Sequence, residues 1–123
     1  MRKLFPLVLG AATLLAAGCG PNCESTCQRL YGAGSQTLNG EGVEDCGIQR
    51  AGRDASDLTD TCLKECYGAL DNPGEVGAFD PYHRAGSNES VTLDNERQAA
   101  LWMQCITETS CENLQDGYCA PVW

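Results

Sequence analysis

Cys23-Glu24-Ser25-Thr26-Cys27 sets two cysteines four residues apart, and Cys62-Leu63-Lys64-Glu65-Cys66 repeats the spacing. Side chains four apart on a helix project from one face, so each stretch reads as a helix with two aligned thiols. Two such helices packed antiparallel bring the thiols together as two rungs, Cys23 with Cys66 and Cys27 with Cys62. A helical hairpin closed by two disulfides is therefore the expected centre of the fold.

The flanking residues agree with helices. Asn22 is a fitting N-cap for a first helix over Cys23 to Tyr31, Glu24 suits its first turn, and Gly32 can end it. A second helix is expected from Asp57 to Leu70, capped by Ser56. Leu58, Cys62, Cys66 and Leu70 form its stripe, widened by Leu63 and Ala69, and Asp71-Asn72-Pro73-Gly74 stops it. A third helix opens with Asn95-Glu96-Arg97-Gln98 after a cap at Thr92 or Asp94. Leu93, Ala100, Leu101, Gln104 and Cys105 fall on one side of it. Trp102, Met103 and Ile106 extend its apolar surface, which makes it the expected core element. Ser110 caps a last short helix from Cys111 to about Asp116, closed by Gly117. Gly32 to Glu44 and Glu75 to Ser90 read as irregular, and no segment alternates with period two for long. The expected class is all-α: an antiparallel hairpin plus a third core helix, with long loops.

The chain has 123 residues and 9 cysteines, an odd number for a disulfide framework. The N-terminus resolves the parity. Met1-Arg2-Lys3 is basic, and Leu4 to Ala17 is uncharged but shorter than the roughly 20 residues that span a bilayer. Small residues follow, as in a secretory signal. Leu15-Ala16-Ala17-Gly18-Cys19 resembles the lipobox of bacterial lipoproteins, with its leucine one position further out than usual. That resemblance implies cleavage before Cys19 and a diacylglycerol on its thiol. It also implies, since Gly20 rather than Asp follows, sorting to the outer membrane. Residues 1–18 are then a lipoprotein signal peptide, 19–22 a lipidated link and 23–123 a cysteine-rich helical domain. Eight cysteines remain for disulfides in an oxidising compartment. The hairpin resembles that of twin C-x-x-x-C proteins, in architecture only. Cys46, Cys105, Cys111 and Cys119 admit three pairings. A Gly117 turn that folds the tail onto its own helix favours Cys111–Cys119, and with it Cys46–Cys105.

Charge narrows the partners. Removing Arg2 and Lys3 from the 8 basic side chains leaves 6 against 17 acidic ones, a formal charge of −11. Such a surface repels nucleic acid and anionic headgroups. Zinc ligation and thiol-disulfide catalysis lack the C-x-x-C spacing they use. His83 is the only imidazole and has no nucleophile motif beside it; it reads as a solvated loop residue. Asp54, Asp57 and Asp60, three apart, read as helix-start acidity rather than a calcium loop. Asn88-Glu89-Ser90 matches a glycosylation sequon by chance. Trp102 reads as core, and the tail ending at Trp123 as packed on the body or offered to a partner.

No catalytic residue, cofactor, metal or small-molecule substrate is expected, and the chain is not read as an enzyme. The segments "NERQAALWMQC", "GYCAPVW" and "PGEVG" look like the small cysteine-rich lipoproteins of contact-stimulated gliding motility, the CglC type. That likeness implies a motility complex at the outer membrane. The expected function is an envelope lipoprotein that contacts other envelope proteins. The alternatives are a small secreted inhibitor or immunity-type protein presenting Glu75 to Ser90, and, last, an enzyme built on His83 and the aspartates.

Overall fold

The computed structural model describes residues 20–38 and 40–123. Helix α1 spans Cys23–Tyr31 and starts in a capping box. The Asn22 carboxamide accepts from Ser25 N–H at 2.8 Å, and Ser25 Oγ accepts from Asn22 N–H at 3.0 Å, so two orphan donors are satisfied reciprocally. Helix α2 spans Ala55–Leu70 and α3 spans Glu96–Glu108. The short α4, Cys111–Gln115, is capped by Ser110.

The second helix begins earlier than expected. Its cap is Asp54, not Ser56, because the Asp54 carboxylate reaches Asp57 N–H at 2.8 Å. Asn95, not Thr92 or Asp94, caps α3, accepting from the N–H groups of Arg97 and Gln98. The buried stripes are also rotated from the expected ones. At 3.6 residues per turn a four-residue step advances about 40° past a full turn. Leu70 has drifted to 37% exposed by the third step, and Ala69 takes its place at 3%. On α3 the buried set is Gln98, Ala99, Trp102, Met103, Cys105 and Ile106, whereas Ala100 and Gln104 face solvent.

The all-α expectation is corrected by one element pair. Ser35–Leu38 (β1) and Glu41–Glu44 (β2) form a two-stranded antiparallel hairpin with Leu38 opposite Glu41 and Ser35 opposite Glu44. Gly40, at φ 82°, occupies the left-handed region that a two-residue hairpin turn demands. The dipeptide Asn39-Gly40 was the signal in the sequence. The strands show no hydrophobic alternation because seven of their eight residues are exposed or only partly buried. The molecule is thus small and mostly helical, with a hairpin attached to the end of α1. Main-chain bonds from Cys46 N–H to Arg29 C=O (2.6 Å) and Ile48 N–H to Leu30 C=O (2.9 Å) make that attachment.

Four disulfides cross the structure. Cys23–Cys66 and Cys27–Cys62 join α1 to α2 with Cα separations of 5.9 and 5.8 Å, so the two helices run antiparallel. The other four cysteines pair differently from expectation: Cys46 with Cys111, and Cys105 with Cys119. Cys46–Cys105 and Cys111–Cys119 are excluded by where the helices point. Cys46, held at the end of α1, meets Cys111 at the start of α4 and not Cys105 in the last turn of α3. The tail does turn at Gly117, but away from α4: Cys119 N–H bonds to Pro81 C=O at 2.8 Å, beside Cys105. Four disulfides belong to an oxidising, extracytoplasmic environment. No described helix is long and apolar enough to cross a membrane.

The core lies where α1, α2 and α3 converge. Cys27, Leu30, Leu58, Cys62, Cys66, Ala99, Trp102, Cys105 and Ile106 are all 0% exposed. Arg29 is buried among them at 6% and donates to three carbonyls: Ile106 (3.1 Å), Thr109 (2.7 Å) and Glu44 (2.5 Å). Two of these close the C-terminus of α3, whose own last turn has no basic residue. The guanidinium fork therefore supplies in trans the cation that a helix C-terminus favours. Burial pulls its pKa down from the ordinary value, and nearby Asp45 pushes the other way.

Candidate binding cleft

Residues 73–94 and the tail 116–123 have no helix or strand, yet each is fixed by side chains of the bundle. Gln98 Nε2 donates to Val76 C=O at 3.2 Å and Asn95 Nδ2 to Glu75 C=O at 2.9 Å. On the tail, Trp102 Nε1 donates to Pro121 C=O at 3.0 Å and the Tyr31 hydroxyl to Trp123 C=O at 2.8 Å. Burial pushes the Tyr31 phenol up to about 12, against smaller opposing effects of that carbonyl and of Arg50 and Arg53. The Trp123 ring meets Trp102 edge-on, with centroids 5.7 Å apart. Trp102 is fully buried, as a core residue is.

A cleft of about 990 Å³ lies between segment 84–92 and the tail. Its two walls touch at one end, where Ala85 N–H bonds to Gly117 C=O at 2.9 Å. Gly117 is required there twice over. Its φ of 115° is strained for any L side chain, and a Cβ would stand 2.7 Å from Ala85 O. Arg84 ties the same end by donating to the Asp116 main-chain and side-chain oxygens, both at 2.9 Å. Val91, Pro121, Val122 and Trp123 give apolar lining, and Ser87, Ser90 and Thr92 supply hydroxyls. Arg50 stands on the lining with weak main-chain acceptors only: Gln49 C=O at 3.2 Å and Val122 C=O at 3.4 Å. Among the described residues it makes no ion pair, unlike Arg53, Arg84 and Arg97. The cleft thus has a cation and an indole on its lining.

His83 is more engaged than a solvated loop residue. Its Nδ1 faces Asp80 C=O at 2.5 Å and its Nε2 faces Glu89 Oε2 at 2.8 Å. Glu89 Oε1 in turn accepts from Gly86 N–H at 3.2 Å, so the imidazole clips the cleft segment into a closed loop. The Asp80 carbonyl and then the Glu89 carboxylate raise the His83 pKa above its ordinary value, and Glu89 is lowered mainly by His83. Both ring nitrogens are occupied by these contacts.

The three aspartates do not converge. Asp54 caps α2, Asp57 pairs with Arg53 at 2.6 Å, and Asp60 is exposed. No group of three His, Cys, Asp or Glu suited to a metal occurs among the described residues. Cys19, the expected lipid attachment, lies outside the described residues, as do residues 1–18. Sequence reasoning missed Arg29 and Arg50. At about 100° per residue Arg29 falls well off the face of Cys23, Cys27, Leu30 and Tyr31, and its partners are distant in sequence, so neither arginine carried a readable signal. No family model, curated protein or solved structure matches this chain.

Proposed function

We propose that this chain is a bacterial outer-membrane lipoprotein, acylated at Cys19, whose stapled body holds a protein partner of the cell envelope. One observation carries the reading: all eight cysteines from Cys23 to Cys119 pair among themselves. Cys19, at the end of a lipobox-like stretch, is the ninth cysteine and stands outside these four pairs. Gly20-Pro21-Asn22 gives a link of only a few residues, so the anchored body sits against the membrane surface. The cleft beside Arg50 and Trp123 is the surface offered to the partner. The likeness of "NERQAALWMQC" and "GYCAPVW" to gliding-motility lipoproteins supports a motility complex as the setting.

The reading is tested on the native protein in two steps. Intact mass spectrometry of membrane-extracted material should give the mass of a chain starting at Cys19 plus acyl groups, and Cys19→Ser should release it from membranes. A photo-crosslinker at Ser87 should then capture a discrete envelope protein in intact cells. An unacylated, freely soluble native chain disproves the anchoring; a crosslinker that labels nothing disproves the docking role.

A further inference from the structure

The four disulfides sit in unlike surroundings. Six of their cysteines are 0–1% exposed, whereas Cys46 and Cys111 are only half-buried, where the end of β2 meets the start of α4. The two sulfurs of this bridge also differ from each other. Arg29 Nη1 lies 3.6 Å from Cys111 Sγ. The same nitrogen donates to Glu44 C=O, which lies 3.9 Å from that sulfur, and so offsets this carbonyl's negative end. Glu112, next in sequence, is exposed and screened by water. Cys46 instead follows Glu44 and Asp45, and the Asp45 carboxylate is fixed in place by Gln28, Gly34 N–H and Gln36. A neighbouring guanidinium favours a thiolate and a neighbouring carboxylate opposes it. Exchange runs faster when the departing sulfur is the better thiolate.

We propose that Cys46–Cys111 is a thiol-exchange site for an external thiol, most naturally a dithiol protein of the same compartment. The incoming thiolate attacks Cys46 Sγ. The sulfur–sulfur bond breaks, its electron pair passes to Cys111 Sγ beside Arg29, and Cys46 remains in a mixed disulfide with the attacking sulfur. A second thiol on the partner then attacks the partner's own sulfur in that mixed disulfide. It leaves as an oxidised disulfide, and this chain keeps Cys46 and Cys111 reduced by two electrons. The exchange frees the hairpin from α4 while the three buried bridges keep the helices joined. The site thus couples the redox state of the surroundings to one attachment of the fold.

The test uses the folded full-length mature chain and reduced glutathione as the thiol. Samples are quenched with acid over time, free thiols are alkylated and peptides are mapped by mass spectrometry. Cys46–Cys111 should open first, at least about tenfold faster than any other bridge, with glutathione on Cys46. Arg29→Met should slow the opening and spread the adduct over both sulfurs, while Arg29→Lys keeps the wild-type pattern. A buried bridge that opens as fast, or glutathione carried mainly by Cys111, overturns the proposal. Adduct position in the unaltered chain decides the matter even where the Arg29 variants fold poorly.

Discussion

The α1–α2–α3 bundle and the loop-and-tail region place comparable lengths of chain in fixed positions, by different means. In the bundle, regular backbone satisfies its own polar groups, apolar side chains fill the centre, and two disulfide rungs tie α1 to α2. In segments 73–94 and 116–123 only Pro81, Leu93, Cys119 and Pro121 are buried, and individual side chains from the bundle hold the main chain. The difference teaches that irregular chain can be fixed from outside, provided a helix presents a donor for each carbonyl it must hold. Of the two cleft walls only the tail is held in that way, by Trp102 and Tyr31; segment 84–92 is closed by the His83–Glu89 clip and tied to the tail through Ala85 and Arg84.

The comparison can be broken most directly at the rungs. Replacing Cys23, Cys27, Cys62 and Cys66 by Ala should cost about 5 kcal/mol or more and abolish most of the far-ultraviolet helical signal. Removing Cys105 and Cys119 instead should cost about 2–3 kcal/mol and leave that signal nearly intact. The reverse ranking in denaturant titrations would place the centre of stability in the tail.

Smaller changes sharpen the picture. Trp102→Phe keeps a ring in the core but removes the donor to Pro121, which should cost about 1–2 kcal/mol. Tyr31→Phe removes the donor to Trp123 and should cost about 1 kcal/mol. Both hold one tail, so the double variant should lose less than the sum. The Tyr31 phenol also gives a pH signature. Its folded pKa, about 12, lies above the ordinary 10, so its contribution is complete below pH 10 and is lost as pH climbs towards 12. In an absorbance titration the step near 12 should belong to Tyr31 and vanish in Tyr31→Phe, while Tyr67, raised by its bond to Glu24, and Tyr82, raised by burial and Glu108, also ionise above their ordinary value in both proteins.

The bundle has a defect of its own. Thr26 is 1% exposed, and its hydroxyl has no hydrogen-bond partner among the described residues. Thr26→Val keeps the shape and removes the stranded oxygen, so it should stabilise the chain by about 1 kcal/mol. A loss of stability would mean that the hydroxyl is satisfied in solution. The gentlest probe is His83. Its pKa is raised in the folded state, so the clip to Glu89 contributes fully below the ordinary value near 6.5 and fades as pH rises through the raised one. Ring-proton chemical shifts should titrate above the ordinary value, and Glu89→Gln should bring them back towards it.

What could be read from the sequence followed the same division. Helix α1, its Asn22 cap and the start of α4 lay in local residue preferences and emerged where expected. The rung geometry followed from a four-residue spacing that any helix imposes. The hairpin escaped because its strands pair with each other and bury almost nothing, which leaves only the sequence dipeptide Asn39-Gly40 as a sign. The pairing of Cys46 and Cys105 escaped because it depends on the direction in which α3 leaves the bundle and on the turn at Gly117, neither of which is encoded locally. Arg50 owes its position on the cleft to chain segments distant in sequence, as its contact with Val122 records a separation of 72. Such a residue carries no mark in its own neighbourhood.

The edge-on pair of Trp102 and Trp123 has a practical consequence. They are the only 2 tryptophans in the chain, so one dimer of indole chromophores dominates its near-ultraviolet spectrum. At a centroid distance of 5.7 Å and an interplanar angle of 71° their excited states couple, and the coupling decays steeply with separation. Undocking of the tail is therefore visible by circular dichroism and emission without any added label.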